Sequence, residues 1–90
     1  MLPTEAIVKT ALASTIRFIT EDQIEPQHFL REDLHLDSMG SLMFLMKLEE
    51  MIEGFSVDPE TLQMKDLETV SSIVSYIDIH MTTRKENVHQ

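Results

Sequence analysis

An all-α fold is what this sequence predicts: a small four-helix bundle with a long ordered loop between its first and second helices and a short third helix. Three observations lead there. Apolar residues recur at helical spacing in separate stretches along the chain. Helix start and stop residues, Pro3-Thr4, Asp37-Ser38, Gly54 and Asp58-Pro59-Glu60, fall at the edges of those stretches. The one stretch rich in β-branched residues, Val70 to Ile77, has no second strand candidate to pair with. A chain of 90 residues is expected to form one domain with one small core, over about residues 4–82, with a frayed tail over 83–90.

Taken in order, Pro3 and Thr4 suit a helix start, and Ile7, Ala11, Ser14 and Phe18 recur at helical spacing, so the first helix runs to about Thr20. Residues 21–37 contain Pro26 and too many apolar side chains (Ile24, Phe29, Leu30, Leu34, Leu36) to be left in water, which predicts an ordered loop packed on the core. Asp37 or Ser38 caps the second helix, which continues to about Glu53 before Gly54 stops it. Asp58-Pro59-Glu60 starts a short helical turn to about Gln63. Val70, Ile73, Val74, Ile77 and Met81 mark the last helix.

Composition excludes several functions. The chain has no cysteine, which removes disulfide scaffolds, thiolate zinc sites and cysteine nucleophiles. Its longest apolar run, Leu42 to Met46, is too short for a secretory signal or a membrane span, so a soluble, cytoplasmic protein is expected. The net charge of −9 argues against nucleic acid and anionic membranes as partners and fits basic proteins better. All of that net charge lies in residues 21–60, where it either steers a basic partner or only keeps the surface solvated.

On the second helix, Phe44, Leu45, Leu48, Met51 and Ile52 cluster on one side, and Met39, Leu42, Met43, Met46 and Glu50 lie roughly 165° away. A helix of so small a protein buries one broad stripe, which assigns the Phe44 side to the core and the methionine side to solvent; the alternative is a central helix buried all round. Unbranched, polarizable methionines adapt to several partners, and Glu49 and Glu50 lie beside them. Met39, Leu42, Met43, Met46, Glu49 and Glu50 are therefore the candidate partner-binding residues.

The stretch Asp33-Leu34-His35-Leu36-Asp37-Ser38-Met39-Gly40-Ser41-Leu42 resembles the attachment site of acyl carrier proteins, the phosphopantetheine-binding carriers, where an Asp-Ser pair and a large apolar residue open the second of four helices. Leu48-Glu49-Glu50 resembles the acidic end of that helix, and Leu67-Glu68-Thr69-Val70 with Tyr76-Ile77 resembles the fourth helix, so the likeness covers about residues 4–82. The resemblance implies an acyl-carrier-like bundle and no enzyme. Ser38 would receive 4′-phosphopantetheine from coenzyme A through a separate magnesium-dependent phosphopantetheinyl transferase. Acyl groups would then be held as thioesters for ketosynthase-type, acyltransferase-type or acyl-loading enzymes with basic and apolar docking patches. Asp37 would cap the helix and face basic residues of the modifying enzyme. A monomer suits such shuttling.

The chain departs from many fatty-acid carriers at Met39, Gly40 and Met43, which stand where those carriers have leucine and two acids, and at His35, where a glycine is common. The lost acid favours partners that use apolar contact, which inclines the reading towards a carrier dedicated to a polyketide or a modified fatty acid. A peptidyl or aminoacyl carrier of nonribosomal synthesis and an unmodified acidic helical adaptor remain as alternatives. Other chemistry falls away. An EF-hand reading of Asp33, His35 and Asp37 puts Ser38 where glycine is needed and Phe44 where the bidentate glutamate belongs. His28, His35, His80 and His89 lack metal-ligand spacing, and with glycine only at 40 and 54 there is no phosphate loop.

Overall fold

The computed structural model describes residues 3–16, 19–58 and 60–88, with side chains as far as Met81. Helix α1 spans Thr4–Thr15, α2 spans Ser38–Met51 and α3 spans Val70–Val88, with short 3-10 turns at Glu21–Gln23 and Met64–Leu67. The fold is all-helical, with no strand among the described residues. Helix α1 packs against both α2 and α3, and α3 also holds the 64–67 turn.

Val8, Ala11 and Leu12 are the buried residues of α1, one step round from the expected Ile7, Ala11 and Ser14. Ile7 is half-buried and Ser14 is exposed. The helix stops at Thr15, short of the expected Thr20, because Ile16 is already extended (φ −97°, ψ 127°). The hydroxyls of Ser14 and Thr15 both donate to the Ala11 carbonyl, at 3.0 and 2.9 Å, and such local bonds compete with further helical turns. Phe18, expected to continue the stripe, lies outside the described residues.

The connection to α2 is ordered and packed, as its leucines require. Ile24, Leu30, Leu34 and Leu36 are buried, whereas Phe29 stays 39% exposed. A single antiparallel bridge, Phe29 to Thr69, pins this segment to the start of α3. It is built from Leu30 N–H to Glu68 O and Val70 N–H to His28 O, both 3.0 Å, and is reinforced by Ser71 N–H to Pro26 O at 2.8 Å.

Helix α2 ends at Met51, two residues before the expected Glu53, with Ile52 extended as its C-cap. The Phe55 amide donates to Ile52 O at 3.1 Å across a turn in which Gly54 has φ 82°, a left-handed value that glycine adopts at least cost. The expected short third helix at 58–63 is instead one hydrogen-bonded turn, with the amides of Thr61 and Leu62 donating to Asp58 O at 3.0 and 2.9 Å. Gln63 is extended there and its amide goes to Asp66 Oδ2 at 2.8 Å, so the chain closes the 3-10 turn 64–67 instead of propagating a helix. So few residues cannot offset the cost of helix nucleation. Pro59 lies outside the described residues.

The core joins Val8, Ala11 and Leu12 to the loop leucines, to Phe44 and Leu48 of α2, to Phe55, and to Val70, Ile73, Tyr76 and Ile77 of α3. Val74 and Met81 are half-buried at its edge. The Tyr76 ring meets Phe55 edge-on at 6.4 Å, and its hydroxyl lies 2.9 Å from Thr61 Oγ1, which ties the 55–61 loop to α3. Helix α3 keeps a helical backbone to Val88, past the point at which fraying is expected, since extending a docked helix adds a bond for each residue fixed.

Candidate functional site

The site is the loop end that launches α2. Asp33 closes a tight turn on Phe29, its Oδ2 accepting the Phe29 amide at 2.8 Å while its own amide donates to Phe29 O at 2.9 Å. Leu36 N–H then donates to Leu30 O at 2.9 Å. Leu34 and Leu36 both insert into the core, and His35 between them is exposed, with φ 57°. That left-handed value costs an L-residue with a Cβ roughly 1–2 kcal/mol.

Asp37 follows in extended conformation (φ −81°, ψ −173°) and is the N-cap of α2. Its Oδ1 accepts the Gly40 amide at 2.7 Å and its carbonyl accepts the Ser41 amide at 2.7 Å. Of the two cap residues the sequence allows, the structure uses Asp37. Ser38 is consequently the first residue of α2, and it is exposed. Gly40 is close-packed: a Cβ there would lie 3.0 Å from Leu36 Cδ1 and 3.1 Å from Asp37 Oδ1, so the cap carboxylate and the Leu36 plug both press against this position.

Along α2 the two stripes separate as their angles require. Phe44 and Leu48 are fully buried and Leu45, Met51 and Ile52 half-buried, while Met39, Leu42, Met43 and Met46 are 69%, 55%, 56% and 55% exposed. The helix is not buried all round. Glu50 is exposed beside the methionines. Glu49 is exposed too, but its Oε2 accepts the Val57 amide at 2.8 Å, so its carboxylate also fastens the loop after α2. Sequence spacing gives no sign of that bond, because it spans a turn whose course is set elsewhere.

Beside Ser38 lies an open cleft of about 560 Å³ between the start of α2, the 29–32 segment and the 64–67 turn. Leu30, Leu36, Leu67 and Met64 line its apolar parts, and Arg31 and Lys65 are its cations. Among the described residues no group of acids and histidines could hold a metal ion, and no helix is long and apolar enough to cross a membrane.

The described residues thus form a small, acidic, all-helical domain with an exposed serine at the start of its second helix. The family model for the phosphopantetheine attachment site matches residues 6–77, and the chain belongs to that family. It is a carrier of covalently attached 4′-phosphopantetheine and not an enzyme, working with a phosphopantetheinyl transferase and with biosynthetic enzymes. No curated protein and no solved structure matches the chain. The residues present fit the group, since Ser38 offers an exposed hydroxyl next to a cleft and the thiol that the family's chemistry needs comes with the arm, in a chain without cysteine.

Proposed function

We propose that Ser38 is the attachment residue and that residues 1–90 act as one carrier domain, with its core over about 4–82, moving acyl groups between enzymes of fatty-acid or polyketide-type biosynthesis. The observation that carries this reading is the exposure of Ser38 as the first residue of α2, next to a cap supplied by Asp37. At that position a side chain projects past the helix end, clear of the following turn, so a modifying enzyme can reach its oxygen. The arm supplies a terminal thiol that holds acyl groups as thioesters.

Every other part of the task falls to the chain itself. Asp37 holds the first turn of α2 in place and adds negative charge where a basic enzyme surface approaches. A phosphodiester on Ser38 would lie at the positive end of the α2 dipole, a placement worth about 0.3–1 kcal/mol at an exposed site. Met39, Leu42, Met43 and Met46 form the docking stripe for loading, ketosynthase-type or acyltransferase-type enzymes, with Glu50 and the outer edge of Glu49 steering basic partners. Gly40 and Met43 stand where many fatty-acid carriers have acids, which favours a dedicated pathway with apolar docking. The chain works as a monomer in the cytoplasm, where its partners load and unload it.

Incubation with coenzyme A and a broad-specificity phosphopantetheinyl transferase, followed by intact-mass measurement, tests the reading. Wild type gains the mass of the arm and Ser38→Ala does not. A folded wild type that gains nothing would leave an unmodified adaptor as the better description.

A further inference from the structure

The chain has 7 lysines and arginines against 16 acids, and in residues 21–60 the bases are Arg31 and Lys47 alone. Arg31 nevertheless lines the cleft beside Ser38, and Lys65 joins it there from the 3-10 turn. Neither forms an ion pair: the pair found among the described residues joins Lys9 to Glu5, at 3.1 Å. Both cations stand on segments that are fastened together, because the Leu30 amide next to Arg31 donates to Glu68 O, three residues beyond Lys65, at 3.0 Å. The positions from which they reach are thus fixed before any ligand arrives, which lowers the ordering cost of binding.

Three acids share the cleft, Glu32, Asp37 and Glu68. Asp37 is committed to the α2 backbone through its bond to the Gly40 amide. With Glu32 and Glu68 the cleft lining carries two cations and three carboxylates, so an added anion would be held by direct charge-assisted hydrogen bonds from Arg31 and Lys65 and not by the cleft's net charge.

Resting on the assignment of Ser38, we propose that Arg31 and Lys65 form a clamp at the cleft beside Ser38 that holds the phosphodiester of the attached arm, so that the arm lies in the cleft until a partner enzyme draws it out. A cleft of about 560 Å³ lies within the range of ordinary ligand pockets, roughly 300–1,000 Å³. Docking there keeps the arm away from the methionine stripe, which stays free for partners.

The test compares amide NMR spectra of apo and arm-loaded protein, each loading checked by intact mass, for wild type and for the double variant Arg31→Gln, Lys65→Gln. Loading of wild type is expected to shift amides at 29–32 and 64–68 in addition to those at 37–41. In the double variant the docked-to-free ratio falls about three- to tenfold, the scale of two exposed ion pairs, and the distant shifts shrink with it. Wild type in 1 M salt, where the screening length drops to about 3 Å, shows the same loss without any substitution. Loaded wild type with shifts confined to 37–41, or distant shifts that survive both the double substitution and salt, would overturn the clamp and leave the carrier reading intact. Failure of wild type to gain the arm at all overturns the carrier reading, and the clamp with it.

Discussion

Asp37 Oδ1 accepts the Gly40 amide at 2.7 Å, and this one bond decides where α2 begins and which residue stands exposed at its start. Replacing Asp37 by alanine removes a cap worth about 0.5–2 kcal/mol, whereas Asp37→Asn keeps most of it. For a domain of this size each kcal/mol is about 4–8 °C of Tm, readable by thermal unfolding. Arm loading separates charge from capping. Asp37→Asn is expected to load more slowly than wild type at nearly native stability, and equal loading rates would deny Asp37 a place in enzyme recognition.

His35 stands at φ 57° between two buried leucines. His35→Gly relieves roughly 1–2 kcal/mol of left-handed strain and gives back part of it as unfolded-state entropy, for a net gain of up to about 1 kcal/mol. His35→Val, with a β-branched side chain, is expected to lose stability. Urea midpoints for the two variants check this, and a His35→Gly variant less stable than wild type contradicts the strain.

Glu49 and Glu50 are adjacent and both exposed, yet only Glu49 holds a backbone amide, that of Val57. Glu49→Ala is expected to cost about 0.5–1.5 kcal/mol and to speed hydrogen exchange of the Val57 amide, with Glu49→Gln recovering most of the loss. Glu50→Ala should stay within about 0.5 kcal/mol of wild type. Identical exchange at Val57 in both alanine variants would remove the tether.

Asp22 gives a pH signature. The Thr20 hydroxyl, 2.6 Å from its Oδ1, and a backbone hydrogen bond hold its carboxyl below the ordinary 3.8. A depressed folded value means stability that is present above pH 3.8 and lost as pH falls through the lower folded value. Asp22→Asn should therefore flatten that part of the acid-side decline. An unchanged slope below pH 3.8 would be the contrary result.

Met43 tests the docking stripe. More than half exposed, it can be changed to glutamate with less than about 0.5 kcal/mol effect on the fold. Met43→Glu is expected to raise coupling rates with fatty-acid synthase enzymes relative to the chain's own partners. Unchanged rates with both sets would count against the stripe.

Much of this architecture was readable from local pattern. The opposed faces of α2 follow from the spacing of Phe44 and Leu48 against Met39, Met43 and Met46, and the buried loop follows from Leu30, Leu34 and Leu36 having nowhere else to go. What spacing leaves hidden is nonlocal or competitive. The end of α1 depends on Ser14 and Thr15 bonding back to Ala11, and the lost third helix on Asp66 taking the Gln63 amide. The Glu49 tether and the meeting of Arg31 with Lys65 depend on how separate segments dock. His35 is intermediate, since a residue standing where carriers often have glycine is itself a sign of positive φ.

Localising the arm by fragmentation mass spectrometry tests the central claim most directly, because Ser38 and Ser41 both border the cleft, Ser38 exposed and Ser41 half-buried. The account requires the added mass on Ser38, none on Ser41, and none anywhere in a folded Ser38→Ala variant. Modification at Ser41, or loading that persists without the Ser38 hydroxyl, would contradict it.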